Sequence, residues 1–363
     1  MISTRASEFL IVGGGPAGAS AAIALATFGR KVVVVERSDY SGCRFGETLP
    51  PAANPVLDRL GLDRAALDNC GIRCPGTVSA WGGDSPYRND ALFDPAGDGL
   101  HLDRAAFDRL LAGRAAVCGV KLWTGCLVRS CRRIGNAWHV FVSRPDGHHK
   151  VVAANLIDAS GRTPWPGRLS HRSTFDRQVA VVACFELDEA TNIDRWTWVE
   201  SAPCGWWYSA FLPGGRYVAA YFTDADLLAA PAGSRERRFN ELLGQTHWTR
   251  RQACGARSLE SLRVVPASST LATPIVGDGW VAVGDAASTI DPLSSHGILY
   301  AITSGLNAAA ALLAPDREAA LARYAQEITA QFHDDLATRA QFYQRERRWL
   351  DSPYWHRRMG QAG

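Results

Sequence analysis

The stretch FLIVGGGPAGASAAIALATFGRKVVVVER, residues 9–37 of the 363-residue chain, decides the fold. Glu8–Gly13 reads as a buried strand, Pro16–Phe28 as a helix, and Lys31–Glu36 as a second strand. The unbroken run Val32–Val35 suits a parallel strand covered on both faces. Together these segments predict a β-α-β unit of about 30 residues.

The glycines between strand and helix sit where a dinucleotide-binding turn needs them. Gly13 permits the tight turn, Gly15 lets the backbone approach a pyrophosphate, and Gly18 lets helix and strand pack closely. The helix start at Pro16 and Ala17 then offers free N–H groups and a positive dipole end to the phosphates. Glu36 lies at the end of the second strand, where a carboxylate accepts ribose hydroxyls, and Arg37 follows it. A carboxylate there favours an adenosine with a free 2′-hydroxyl, as in FAD or NAD.

Working outward, Arg104–Cys118 has helical spacing, and Lys121–Val128, Trp138–Val142 and Leu156–Ala159 read as short strands. Between about Val179 and Asp224 aromatic and polar residues alternate, as an antiparallel sheet requires. The buried-strand pattern returns at Trp280–Gly284, and a helical region runs from Gly297 to about Trp355. The expected architecture is α/β. A Rossmann-like nucleotide-binding domain is formed by 1–165 and 265–310, and it is interrupted by an antiparallel-sheet substrate domain at 166–264 with a contribution from about 72–100. C-terminal helices occupy 311–363.

Composition narrows the function classes. A hydrophobic content of 47% supplies a large core, and a formal charge of +3 is mild. No nucleic-acid or membrane partner is expected, since no apolar run approaches the about 20 residues a membrane helix needs. The nine cysteines are scattered without paired CxxC motifs. No metal site is expected, and a reducing, cytoplasmic compartment fits best. Lysine occurs only at Lys31, Lys121 and Lys150, so a role that needs an ammonium group has three candidates.

A second motif runs Gly279-Trp280-Val281-Ala282-Val283-Gly284-Asp285-Ala286-Ala287 and continues through Asp291-Pro292-Leu293-Ser294-Ser295-His296-Gly297-Ile298. With the first, it resembles the FAD superfamily of aromatic hydroxylases, geranylgeranyl reductases and flavin-dependent halogenases. The resemblance implies that Asp285 meets the ribityl chain or pyrophosphate. It also implies that Pro292, Gly297 and Ile298 lie at the flavin ring, with His296 beside it as an acid–base or orienting group or as a plain helix-start residue. A helix start is suited to negative charge developing on a reduced flavin. Arg104 in His101–Asp108, Asp158 and Gly161 in Leu156–Arg162, and Arg44 and Glu47 in Arg44–Pro51 match further superfamily segments. The same likeness brings Val128 into the FAD-binding set and makes Glu47 a candidate pocket carboxylate.

The branches of this superfamily differ in chemistry. Tryptophan halogenases carry Trp-x-Trp-x-Ile-Pro and an active-site lysine in the N-terminal half. Here Trp196-Thr197-Trp198 is followed by Val199-Glu200-Ser201, and no lysine occurs between Val32 and Val120. Gly-Glu-Thr-Leu-Pro-Pro, Gly-Trp-Trp-Tyr-Ser and the C-terminal Glu346–Trp355 are similar to the maturation flavoproteins of quinone-cofactor enzymes, the LodB, GoxB and QhpG type. That resemblance implies FAD reduced by NAD(P)H, dioxygen captured as C4a-hydroperoxyflavin, and hydroxylation of a tryptophan ring within a client protein or peptide. Trp206, Trp207 and Tyr208 are the expected substrate contacts, because consecutive aromatics place rings on both faces of a strand. A halogenase, a geranylgeranyl-reductase-like enzyme and a non-catalytic FAD-binding maturation partner remain as alternatives.

Overall fold

All four valines of Val32–Val35 are buried, because the strand lies inside a parallel sheet. The computed structural model describes residues 3–187, 194–228, 235–253, 257–259 and 261–359. In the first sheet the order is Val276–Gly277, Trp280–Ala282, Gly147–Asp158, Ser3–Val12, Val32–Val35, Lys121–Trp123. All neighbours in that row pair in parallel except the first two. The helix Pro16–Thr27 crosses from strand to strand, as the glycine-rich turn and valine run dictate.

The expected strand at Lys121–Val128 divides. Lys121–Trp123 joins the parallel sheet, whereas Leu127–Ile134 leaves it to pair with Ala137–Arg144. The break falls at Gly125 and Cys126, whose N–H groups donate to Ser38 O and Glu36 O and so pull the chain toward the second strand. Leu156–Ala159 likewise proves to be the end of a longer strand, Gly147–Asp158.

A second sheet runs Arg257–Ser258, Gln178–Glu186, Arg216–Asp224, Gly205–Leu212, Thr197–Ala202, Gly76–Ala80, Tyr87–Asp90. Its last two strands come from well before the aromatic insert, and Gly76–Ala80 pairs in parallel with Thr197–Ala202. Both faces of this sheet pack against other elements over part of their area. Trp206 and Phe222 pack against Tyr343, Tyr354 and Trp355 on one face. Trp207 and Tyr221 pack against Phe239 of the helix Arg235–Gly244 on the other.

The expected C-terminal helical region consists of Gly297–Leu313, Arg317–Tyr343 and Pro353–Met359. The first packs on Pro16–Thr27 so closely that a Cβ on Gly305 would lie 2.2 Å from Ala17 O. The second starts where the Asp316 side chain accepts from Ala319 N–H, and it ends with Tyr343 in the core of the second sheet. The C-terminal residues therefore bind the two sheets together. Among the described residues no helix is long and apolar enough to cross a membrane.

Candidate active site

A cleft of about 2200 Å³ runs from the Gly13–Ala17 turn to the inner face of the second sheet. That is more than twice the volume of about 1000 Å³ at the upper end for one drug-sized ligand, so the cleft has room for a dinucleotide and a second molecule.

At the dinucleotide end each glycine has a physical reason. Gly13 has φ +107°, and a Cβ on it would meet Ala159 O at 2.2 Å. A Cβ on Gly18 would lie 2.0 Å from Gly13 O, so Gly18 serves the packing of helix on strand and does not line the cleft. Gly15 differs: nothing lies within 4 Å of the position its Cβ would take, and it faces the cleft beside Pro16 and Ala17. The helix start has no side-chain cap, which leaves first-turn N–H groups for an anion. These features fit a dinucleotide pyrophosphate.

Glu36 lines the cleft while fastened by its neighbours. Its Oε2 accepts from Gly14 N–H at 2.7 Å, and its Oε1 from Ser38 N–H at 2.9 Å and from Arg44 at 3.2 Å. A carboxylate oxygen has two lone-pair sites, so Oε2 keeps one for a ribose hydroxyl. Arg37 and Val128 lie along the same wall. Arg44 also lines it, with Asp108 Oδ2 at 2.6 Å. Arg104 donates to Phe45 O at 2.7 Å and Gly46 O at 2.9 Å, so it shapes the loop that carries Glu47.

Further along, Gly161 and Asp285 line the cleft, but Asp158 is buried behind it. Asp158 accepts from Ser160 N–H at 3.0 Å and Trp165 Nε1–H at 3.1 Å, and thus holds the turn that presents Gly161. Arg162 was quoted within that motif without a role, yet its Nε donates to Asp285 Oδ2 at 3.1 Å. Pro292, His296, Gly297 and Ile298 gather at the start of Gly297–Leu313, where Ser295 takes the left-handed conformation with φ +54°. His296 is exposed, and its Nδ1 bonds Ser294 O, leaving Nε2 for a ligand.

The inner compartment has an apolar wall of Val182, Val199, Val218, Ala220 and Phe222. Its polar floor is Glu47, Thr48, Thr197 and Tyr208. Tyr208 Oη lies 2.7 Å from Thr48 Oγ1, and Thr197 Oγ1 lies 2.7 Å from His101 Nε2. Burial pushes the Glu47 carboxyl up to about 7, opposed by the Arg104 guanidinium. Burial also drives His101 down to about 4, which keeps it neutral.

The aromatic strand departs from expectation. Trp206 and Trp207 are 1% and 0% exposed, and neither lines the cleft. Trp206 stacks on Phe222 at 4.0 Å and donates to Tyr343 Oη, while Trp207 faces the opposite core. The C-terminal segment covers Trp206 on one face, and Arg235–Gly244 covers Trp207 on the other. Of the three, Tyr208 reaches the cleft. Thr48, Thr197 and His101 were not singled out. Only their adjacency to quoted motifs could have flagged them, because small hydroxyls and one histidine carry no distinctive spacing.

Residues 84–362 match the family model described as tryptophan halogenase, well over half of the chain. This chain belongs to that family. Residues 11–54 match the NAD(P)-binding Rossmann-like domain. The FAD-dependent oxidoreductase LodB of Marinomonas mediterranea is 31% identical over 97% of this chain and 96% of its own length. A tryptophan 2-halogenase of Chondromyces crocatus is 27% identical over 93% of this chain and 64% of its own. Among solved structures, the chondrochloren halogenase CndH superposes with a TM-score of 0.90 at 21% identity, over 98% of this chain and 86% of that one. The peptidyl tryptophan dihydroxylase QhpG gives 0.78 at 25% identity, over 99% and 80%. This member of the tryptophan halogenase family is thus a flavoprotein of FAD-dependent oxidoreductase type, on the flavin-halogenase fold.

Proposed function

We propose that this chain is a FAD-dependent monooxygenase that hydroxylates the ring of a tryptophan carried by a peptide or client protein, with NAD(P)H as reductant. One observation carries the choice over halogenation: none of the described residues lining the cleft is a lysine. Lys31, just before Val32–Val35, and Lys121, at the start of Lys121–Trp123, are exposed, and Lys150 sits over the Phe141 ring. Without a lysine in the cleft there is no ammonium group to hold hypohalous acid beside an indole. The likeness to LodB and to the peptidyl tryptophan dihydroxylase QhpG points the same way.

FAD, when bound, supplies the activation of dioxygen, and the protein supplies position and environment. The Gly13–Ala17 turn and its helix start would hold the pyrophosphate, Glu36 the ribose, and Asp285 the ribityl chain. The start of Gly297–Leu313 sets fixed positive dipole against charge that develops on the flavin side. The apolar wall excludes water and packs the indole. Glu47, buried and poised near neutrality, holds or takes up a proton at its carboxyl, and Tyr208 Oη orients the ring edge. His296 lines the cleft with Nδ1 bound to Ser294 O and is the proposed orienting group beside the flavin.

The test is oxygen consumption by the FAD-loaded protein with NADH or NADPH. Uptake that depends on an added tryptophan-containing peptide, with oxygen gained by that peptide, is the expected result. Bromination of tryptophan in the presence of bromide would overturn the reading in favour of a halogenase.

A further inference from the structure

Tyr343, the last residue of the helix Arg317–Tyr343, is 1% exposed and ends in a cluster of polar atoms from four other segments of the chain. Its Oη lies 2.9 Å from Trp206 Nε1, 2.8 Å from Asp291 Oδ2, 3.2 Å from Tyr354 Oη and 3.3 Å from Gln178 Oε1. The proton bookkeeping fixes the direction of these bonds. The indole N–H can only donate, so Trp206 donates to Tyr343. Tyr354 gives its proton to Gln178 Oε1 at 2.7 Å. The Tyr343 proton therefore goes to Asp291, the nearest of its acceptors.

Asp291 is 2% exposed and lies at the cleft. Its Oδ1 accepts from Leu293 N–H at 3.0 Å and so caps the turn Pro292–Ser294, which leads through Ser295 into the helix at Gly297. Nothing in the Pro292–Ile298 motif itself anchors Asp291 from behind; Tyr343 does. We propose that Tyr343 is a positioning residue for the flavin loop. Its hydroxyl, held by Trp206 of the second sheet and donated to Asp291, sets where Asp291–Ile298 stands against FAD. The buried Trp206, which makes no contact with the cleft, then acts through Tyr343 rather than on the substrate. Phe342 and Arg345, beside Tyr343, line the cleft, so the same segment touches the space a substrate fills. The inference rests on the assignment of this loop to FAD, and holds for hydroxylation and halogenation alike.

Tyr343→Phe tests it. The ring contacts of Tyr343 with Trp81 and Trp355 survive in phenylalanine, while the hydroxyl is lost. The variant is expected to keep FAD at the wild-type ratio, because the phosphate cradle at Gly13–Ala17 and Glu36 is untouched. Its flavin absorbance bands and reduction potential are expected to shift. Asp291→Asn, nearly isosteric, decides the matter if Tyr343→Phe does not fold. It is expected to shift the same bands and to raise the potential, since an amide replaces a carboxylate beside the loop. A drop in thermal stability with bands and potential unchanged in the folded variants overturns it and leaves Tyr343 a packing residue. Loss of FAD from Gly15→Val reports on the cofactor assignment separately, so failure of one is distinguishable from failure of the other.

Discussion

The backbone N–H of Gly14 donates to Glu36 Oε2 across 2.7 Å, which ties the phosphate-facing turn to the end of the second strand. One carboxylate thereby shapes the turn and lines the cleft, where the proposed binding mode puts the ribose. Glu36→Ala removes both. Hydrogen bonds to charged groups contribute about 1.5–3 kcal/mol, so the Kd for FAD is expected to rise roughly ten- to hundredfold. Fluorescence titration of the apoprotein with FAD checks this.

Gly15 and Gly18 give a contrast within one turn. A Cβ at Gly15 meets nothing within 4 Å, whereas one at Gly18 would lie 2.0 Å from Gly13 O. Gly15→Val is expected to fold normally and bind no flavin, because its side chain fills the pyrophosphate path. Gly18→Val is expected to impair folding itself. Circular dichroism and flavin content, measured together, separate the two. Full flavin content in Gly15→Val would contradict the binding mode.

Glu47 titrates near 7 in the fold because it is buried, with Arg104 opposing the rise. A carboxyl with a folded pKa above its unfolded value near about 4.3 binds more protons in the native state. Its contribution to stability therefore falls as pH rises between about 4.3 and 7, and levels off above that window. The slope reaches at most about 1.4 kcal/mol per pH unit. Glu47→Gln is expected to flatten this part of the profile, as urea unfolding at a series of pH values will show. It should also remove any activity transition centred near neutrality.

Trp207 and Tyr208 are adjacent but point to opposite sides of one strand. Trp207→Ala is expected to cost about 3–5 kcal/mol of stability. Trp207→Phe is expected to cost less than about 1.5 kcal/mol, since the indole Nε1 has no hydrogen-bond partner. Neither should alter the KM for a tryptophan peptide in the protein that remains folded. Tyr208→Phe loses the bond to Thr48 and is expected to lower kcat or coupling with a stability change of about 1 kcal/mol. Steady-state kinetics beside thermal melts distinguish these residues.

The dinucleotide half was legible because its signals are local. The glycine spacing, the valine run and Glu36 lie within 29 residues, and backbone geometry forces Gly13 and Gly18. The second half depends on what covers the sheet, which is decided far along the chain. Period-two alternation announced the strand Gly205–Leu212, but not that Tyr343, Tyr354 and Trp355 would bury Trp206. The sequence places Gly76–Ala80 and Tyr87–Asp90 only within the region 72–100 that contributes to the sheet, and the parallel pairing with Thr197–Ala202 has no sequence signature. Asp158 shows a further limit. Its motif was recognised, yet the carboxylate supports the loop from behind while Gly161 faces the cleft.

The central claim is that oxygen, rather than a halogen, reaches an indole ring in this cleft. The direct measurement is mass spectrometry of a tryptophan-containing peptide, or of its client protein, after turnover under isotope-labelled dioxygen with excess bromide present. The account predicts labelled oxygen on the tryptophan and no bromine. Bromine on the ring, or oxygen derived from water instead of dioxygen, would contradict it.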